Sequence, residues 1–129
     1  MKLELVQLAG RDGDVAHNLQ RILQTIADCQ PGTDIVVFPE AYLTGFLGHD
    51  NIAPLAENLS GPSVPTICTA ARARDIAVVV GLIERDGERL YNTTLFITPE
   101  GIALSYRKTH LWVGEPELVL PGDRFATVQ

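Results

Sequence analysis

The sequence predicts an α/β fold built on a mixed sheet. Residues 35–38 and 76–83 are almost entirely apolar, which is typical of strands that are covered on both faces. Between the first two predicted strands, apolar residues recur at helical spacing, which favours a β-α-β unit with parallel neighbours and a right-handed crossover. The strands predicted after residue 89 are separated only by turns, so they should continue the sheet as an antiparallel meander.

One domain over residues 1–129 is predicted, and apolar runs and turn residues set the bounds of its elements. In chain order, the predicted elements are a strand over residues 2–8, a helix over 14–28, a strand over 35–38, a helix over 64–73, and strands over 76–83, 90–98, 102–107 and 125–128.

The first helix is predicted from its apolar stripe and from its two ends. Apolar residues recur every three or four positions from Val15 to Ile26, as on one face of an amphipathic helix. Asp12 or Asp14 can accept hydrogen bonds from the free N–H groups of the first turn. The Pro-Gly pair that follows residue 30 ends the helix and leads into the second strand.

The second helix is predicted to begin after the turn-forming residues 60–62. Ser63 is a possible cap, and Pro65 is tolerated because the first turn lacks intrahelical N–H partners. Before this helix, residues 44–50 form a glycine-rich polar segment, and a loop of this kind after a strand often shapes a pocket. Turns separate the later strands at residues 86–87, 99–101 and 121–123.

Composition and charge favour a globular cytoplasmic protein. The 129 residues are 46% hydrophobic and 20% charged, and the net charge of -6 argues against nucleic acid or an anionic membrane as partner. No apolar run approaches the roughly 18 residues of a membrane span, and the amino terminus enters a strand directly instead of a signal peptide. Cys29 and Cys68 lack the spacing of a metal site, so buried free thiols are predicted, and no cofactor is expected.

Glu40 is the first candidate site residue. Pro39 cannot donate to a sheet, so the strand over 35–38 ends there and Glu40 lies just beyond its carboxyl end, where open α/β sheets bind ligands. Between Phe38 and Tyr42 its carboxylate would lose part of its hydration, which raises a pKa toward the range of a general base. The alternative is a surface glutamate that closes a turn.

Lys108 is the second candidate, because it falls just beyond the strand over 102–107. It is one of only two lysines in the chain, and an ammonium is a compact charge that can stabilise an oxyanion. The alternative is a solvated Arg-Lys pair at the end of a strand. Two acids follow, Glu115 and Glu117; one could orient the lysine, or both could simply face water.

Five short motifs follow one another along the chain. They are Val36-Val37-Phe38-Pro39-Glu40, Gly81-Leu82, Tyr91-Asn92-Thr93, Tyr106-Arg107-Lys108-Thr109-His110-Leu111 and Pro121-Gly122-Asp123. Their order and spacing resemble the nitrilase superfamily of carbon-nitrogen hydrolases throughout the 129 residues. This resemblance implies an α-β-β-α sandwich of which the chain is the amino-terminal half, with helices on one face of a mixed sheet.

The resemblance also implies roles for individual residues. The family uses a Glu-Lys-Cys triad, often with a second glutamate after the lysine. By resemblance, Glu40 is the general base and Lys108 is the cation that stabilises the oxyanion. Glu115 fits the second glutamate better than Glu117, and Tyr42 resembles a wall of the substrate pocket. If Glu40 and Lys108 share one site, their side chains should lie within roughly 4 Å, with Glu115 on the other side of the lysine.

The nucleophilic cysteine of the family has no counterpart among residues 1–129. In the family it follows the Pro-Gly-Asp turn, beyond residue 129, whereas Cys29 and Cys68 precede the lysine. The expected activity of the intact enzyme, a homo-oligomer by family analogy, is hydrolysis of a small linear amide. Nitrile hydrolysis and acyl transfer use the same residues. The rival of a different class is a non-catalytic remnant or binding module, and the 129 residues alone are expected to be inactive.

Overall fold

Five strands form one mixed sheet in the computed structural model, which describes residues 1–45 and 52–127. The strands are β1 (Leu3–Leu5), β2 (Ile35–Val37), β3 (Ala77–Asp86), β4 (Arg89–Thr98) and β5 (Gly101–Arg107). They are ordered β1-β2-β3-β4-β5 across the sheet, with β1, β2 and β3 parallel and the β3-β4 and β4-β5 pairs antiparallel. The predicted α/β class with a mixed sheet is confirmed.

Two helices, α1 (Val15–Asp28) and α2 (Ser63–Arg74), cover one face of the sheet. Asp14 caps α1, because its carboxylate accepts a hydrogen bond from the backbone N–H of His17 at 3.0 Å. Burying each large aliphatic side chain beneath the helices stabilises the fold by about 1.5–3 kcal/mol. The most deeply buried residues of this core are Ile22, Ile26, Val36, Leu43, Val64, Ile67, Ala71, Val78, Val80, Leu82, Leu95 and Ile97. Within the described ranges, no helix combines the length and apolarity needed to cross a membrane.

The opposite face of the sheet is apolar but only partly covered. We call it the open face and define it by Leu3, Leu5, Ile35, Val37, Val79, Phe96 and Leu104. These residues are partners across neighbouring strands, so their side chains share one side of the sheet. Leu3 is 47% exposed and Leu5 is 77% exposed, and the other five are partly exposed. A contiguous apolar surface of this kind favours burial against another protein surface.

A β-bulge interrupts the pairing of β4 with β5. The pairs on either side of it are Ile97 with Ile102 and Phe96 with Leu104. Ala103, which stands between these pairs, is the extra residue of the bulge. Every later residue of β5 is therefore displaced by one position along β4, and Arg107 lies opposite Thr93.

Several element boundaries differ from those predicted, among them the end of β3, which extends to Asp86 instead of residue 83. β1 ends at Leu5 instead of Leu8, because its partner β2 ends before Pro39. Helix α2 begins at Ser63, which is not its own cap. The backbone N–H and the hydroxyl of Ser63 instead donate to the carboxylate of Glu57 at 3.2 Å and 2.7 Å.

The predictions for two irregular segments are tested only in part. The strand predicted over residues 125–128 is wrong for 125–127, which have no regular structure, and residue 128 lies outside the described residues. Phe125 stacks against the rings of Tyr106 and His110 and does not extend the sheet. The loop predicted over 44–50 is described only at its first two residues, and the rest lies outside the described ranges.

Both cysteines are free, as predicted. Cys29 is buried at the carboxyl end of α1 instead of within the helix, and Cys68 is partly buried within α2. Burial raises the pKa of both thiols, so each stays protonated at neutral pH.

Candidate active site

Glu40 follows β2 at a sharp turn that is packed against β3. Ala41 has a φ of +48°, in the left-handed region that residues with a side chain rarely adopt. Gly81 lies close beneath this turn, because a Cβ at Gly81 would stand 2.4 Å from the Ala41 nitrogen. The Leu43 N–H also donates to the Gly81 carbonyl at 3.1 Å. The close approach of the two backbones fixes where Glu40 leaves the sheet.

Lys108 directly follows β5, and its neighbour Arg107 determines which way it points. The Arg107 guanidinium donates two hydrogen bonds to the Glu84 carboxylate, at 2.5 Å and 3.0 Å, and lies 3.8 Å from the centre of the Tyr91 ring. Glu84 and Tyr91 lie opposite each other on the helix-covered side of the sheet. Because successive residues of a strand point to opposite faces, Lys108 emerges on the other side. Its backbone N–H donates to the Asn92 carbonyl at 2.8 Å.

Glu40 and Glu115 converge on the ammonium of Lys108. The distance from Lys108 Nζ is 2.8 Å to Glu40 Oε1, 3.2 Å to Glu115 Oε1 and 3.0 Å to Glu115 Oε2. Glu115 begins a short 3₁₀ turn, Glu115–Glu117, and its Oε2 also accepts the backbone N–H of Trp112 at 2.5 Å. The contact predicted between Glu40 and Lys108 is present, with Glu115 as a second carboxylate on the same ammonium.

The surroundings keep both Lys108 and Glu115 charged. Burial by itself would raise the pKa of Glu115, but hydrogen bonds from Trp112, Asn92 and Lys108 outweigh it, so the pKa lies below its ordinary value. Burial would likewise lower the pKa of Lys108, but its bonds to Glu40 and Glu115 outweigh it and raise the pKa. A positively charged ammonium, flanked by two carboxylates, therefore stands beside a cleft.

The cleft has a volume of about 270 Å³ and opens on the side of the open face. Gly81, Thr94 and Tyr106 are partners across β3, β4 and β5 and form its floor. The remaining lining residues are Phe38, Pro39, Glu40, Asn92 and Lys108. Apolar and aromatic walls with a charged group at one end are typical of sites for small molecules with one polar reacting group.

The other residues singled out in the sequence lie apart from this cleft. Tyr42 is 4% exposed, its ring centre is 5.6 Å from that of Phe38, and it lines a separate recess that Glu40 also borders. Its contact with a substrate remains a prediction. Glu117 is exposed, and neither Cys29 nor Cys68 lines the cleft.

Asn92 was not predicted as a site residue, although it stands between the two carboxylates. Its side-chain nitrogen donates to Glu40 Oε1 at 2.7 Å and to Glu115 Oε1 at 3.0 Å. The sequence signal that could have indicated it is an asparagine inside an otherwise apolar and β-branched strand, where this residue type is uncommon.

The chain is similar in sequence to carbon-nitrogen hydrolases. A sequence model of the carbon-nitrogen hydrolase family matches residues 2–129. An (R)-stereoselective amidase of a Pseudomonas species is 56% identical over 128 residues, which make up 99% of this chain and 47% of that amidase. The chain thus spans about half the length of this relative.

Two solved structures show the same fold. A CN-hydrolase superfamily protein of Xanthomonas campestris, with an arsenic adduct in its active site, matches with a TM-score of 0.89 at 27% identity, over 98% of this chain and 48% of that one. An amidase of Nesterenkonia sp. AN1 matches with a TM-score of 0.78 at 25% identity, over 96% of this chain and 49% of that one. That amidase is a variant in which glutamine replaces a glutamate and alanine replaces a cysteine, in complex with acrylamide. These matches confirm the fold expected from the motifs.

Proposed function

The chain belongs to the carbon-nitrogen hydrolase family, and from this membership we propose that it forms the acid–base and oxyanion-binding part of an amidase site. The proposal depends on one observation, the convergence of Glu40 and Glu115 on the Lys108 ammonium beside the cleft. Glu40 is the general base, Lys108 stabilises the oxyanion, and Glu115 holds Lys108 in place. The substrate is a small linear amide whose C–N bond is hydrolysed.

Exposure supports this division of roles between the two carboxylates. The Glu40 side chain is 61% exposed and lines the cleft, so a reacting group can approach it. The Glu115 side chain is 4% exposed and accepts bonds from Trp112, Asn92 and Lys108. A base must be within reach of the proton that it takes, whereas an orienting group need only contact the lysine.

In the proposed reaction, a cysteine thiol from outside these 129 residues is the nucleophile, because Cys29 and Cys68 do not line the cleft. Glu40 takes the thiol proton as the sulfur forms a bond to the amide carbon. The carbonyl π electrons move to the oxygen, where the Lys108 ammonium stabilises the negative charge. When the carbonyl re-forms, the C–N bond breaks and the leaving nitrogen takes the proton from Glu40.

The second half of the reaction returns the enzyme to its starting state. Glu40, ionised again, takes a proton from water as the water oxygen attacks the thioester carbon. Lys108 stabilises the second oxyanion in the same way. Collapse of this intermediate breaks the C–S bond, the thiolate recovers the proton from Glu40, and the carboxylic acid leaves.

A chimera tests the proposal, with this chain in place of the matching residues of the Pseudomonas amidase. We expect it to hydrolyse small carboxamides, and Glu40→Gln or Lys108→Met to lower kcat at least about 100-fold, because each removes a group that acts in the transition state. Glu117→Gln, which changes an exposed acid, is the control. A folded chimera without amide hydrolysis, or full activity in Glu40→Gln, would contradict the proposal. Hydrolysis of nitriles but not of amides would change the reaction assigned to the same residues.

We also propose that the 129 residues alone do not hydrolyse amides. A base and a cation without a nucleophile lack the covalent route. Ammonia release by the purified chain that Glu40→Gln abolishes would overturn this. The complete protein is proposed to be a cytoplasmic homo-oligomer, a dimer or larger, which light scattering and cell fractionation would test.

A further inference from the structure

Asn92 is a buried polar residue at the centre of the charged cluster. It lies on β4, is 3% exposed, and donates from one nitrogen to both Glu40 and Glu115. An amide NH₂ group has two hydrogens, so each carboxylate can receive one. A single side chain therefore links two acids that come from separate segments of the chain.

The main chain of Asn92 also positions the lysine. Its carbonyl oxygen accepts the backbone N–H of Lys108 at 2.8 Å, one residue beyond the pair formed by Thr93 and Arg107. Asn92 thus fixes both the point from which the Lys108 side chain leaves and the carboxylates that its ammonium meets.

The charge of the cluster explains why an uncharged donor is needed at this position. Two carboxylates around one ammonium have a net charge of about -1 and repel each other. Hydrogen bonds from a neutral amide stabilise both ionised carboxylates and offset that repulsion. Leucine, of similar size, would leave Glu40 and Glu115 without this donor.

On the basis of the function proposed above, we propose that Asn92 is a positioning residue of the site. It holds Glu40 and Glu115 together on Lys108, so that the Glu40 carboxylate keeps the orientation that the reaction needs. Asn92 acts through these three groups and not on the substrate.

Nuclear magnetic resonance of the 129-residue chain tests this role without reference to activity. In the unmodified chain, both side-chain amide protons of Asn92 should exchange slowly with water and shift as Glu115 titrates. In Asn92→Leu the pKa of Glu115 should rise by roughly one pH unit, because a bond to its ionised form is lost. Asn92→Ser, in which the new side chain is smaller and still polar, replaces the leucine variant if that variant does not fold. The pKa of Glu115 should rise in it as well.

Thr93→Val is the matched control on the same strand. The Thr93 hydroxyl is fully buried and donates to Glu84 at 2.6 Å on the opposite side of the sheet. Its loss should lower stability but leave the titration of Glu115 unchanged. An unchanged Glu115 pKa in a folded Asn92 variant would overturn the proposal. Rapid exchange of the Asn92 amide protons in the unmodified chain would do so as well.

The chimera adds a kinetic test. Asn92→Leu should lower kcat about tenfold or more with little change in KM, and should move the acid limb of the kcat/KM profile to higher pH. A lower activity with an unmoved acid limb would mean that Asn92 is only structural. If the unmodified chimera folds but is inactive, the proposed function fails, whereas the titration still decides the role of Asn92.

Discussion

At the residue scale, the buried carboxylate of the cluster depends on its counter-charge. The side chains of Lys108 and Glu115 are 27% and 4% exposed. Lys108→Met would leave the Glu115 carboxylate buried without a cation. We expect the free energy of unfolding at pH 7 to fall by about 3 kcal/mol, measured by urea denaturation. Lys2→Met, which removes the other, exposed lysine, should change it by less than about 0.5 kcal/mol.

The loss of stability in Lys108→Met should be largest near neutral pH. The pKa of Glu115 is below its ordinary value of 4.5, so the stability that it contributes is present above that value and is lost as pH falls through the folded pKa. The pKa of Lys108 is raised, so its contribution is lost as pH rises through its folded pKa. The difference between the unmodified chain and Lys108→Met should therefore narrow at both extremes. A deficit that stays constant between pH 7 and acid pH would contradict this account.

Replacing Glu40, unlike replacing Lys108, should hardly change the stability of the chain. Its side chain is 61% exposed, and exposed ion pairs contribute only about 0–1 kcal/mol. We expect Glu40→Gln to abolish amide hydrolysis in the chimera while the unfolding midpoint of the 129-residue chain hardly changes. If Glu40→Gln lowered the free energy of unfolding by several kcal/mol, Glu40 would be mainly a structural residue.

At the scale of the elements, the turn after β2 depends on the absence of a side chain on β3. In Gly81→Ala the added Cβ would meet the Ala41 nitrogen at 2.4 Å, and backbone must move to relieve this contact. We expect a loss of about 1–3 kcal/mol in the free energy of unfolding. In the chimera, kcat should fall as well, because Glu40 is displaced.

Gly10→Ala is the control for this change. Its added Cβ would meet the Tyr42 ring at 3.4 Å, an ordinary contact with a side chain. Circular dichroism melts of the two variants compare them directly. Equal stability of Gly81→Ala and the unmodified chain would show that the turn can move without cost.

The same elements show what could be predicted from sequence. Apolar runs and a proline revealed where strands end, and this placed Glu40 and Lys108 beyond two strand ends. The burial of Glu115 arises from a short 3₁₀ turn and a bond from a backbone N–H, and such contacts leave no periodic pattern. Asn92 was overlooked because its role depends on register across the sheet, which a one-residue bulge changes.

At the scale of the whole molecule, the open face should govern the behaviour of the isolated chain. Leu5 is 77% exposed on it, so the 129 residues should self-associate and bind a hydrophobic dye. Leu5→Lys should reduce both effects in light scattering and dye fluorescence. Val113→Lys is the control, because Val113 is 92% exposed and lies outside the open face. It should leave self-association and dye binding unchanged. A monodisperse unmodified chain that binds no dye would contradict the prediction.

The bulge at Ala103 determines which of two adjacent cations stands beside the cleft. Arg107 lies opposite Thr93 only because Ala103 displaces the later residues of β5 by one position. If Ala103 instead paired with Phe96, Arg107 would fall opposite Asn92, and a broad guanidinium would stand in the place of the compact ammonium. A shift in register that paired Ala103 with Phe96 would thus exchange the chemistry of the site without altering any residue in it. Ala103 therefore affects the site by standing unpaired in β5, and not through its side chain.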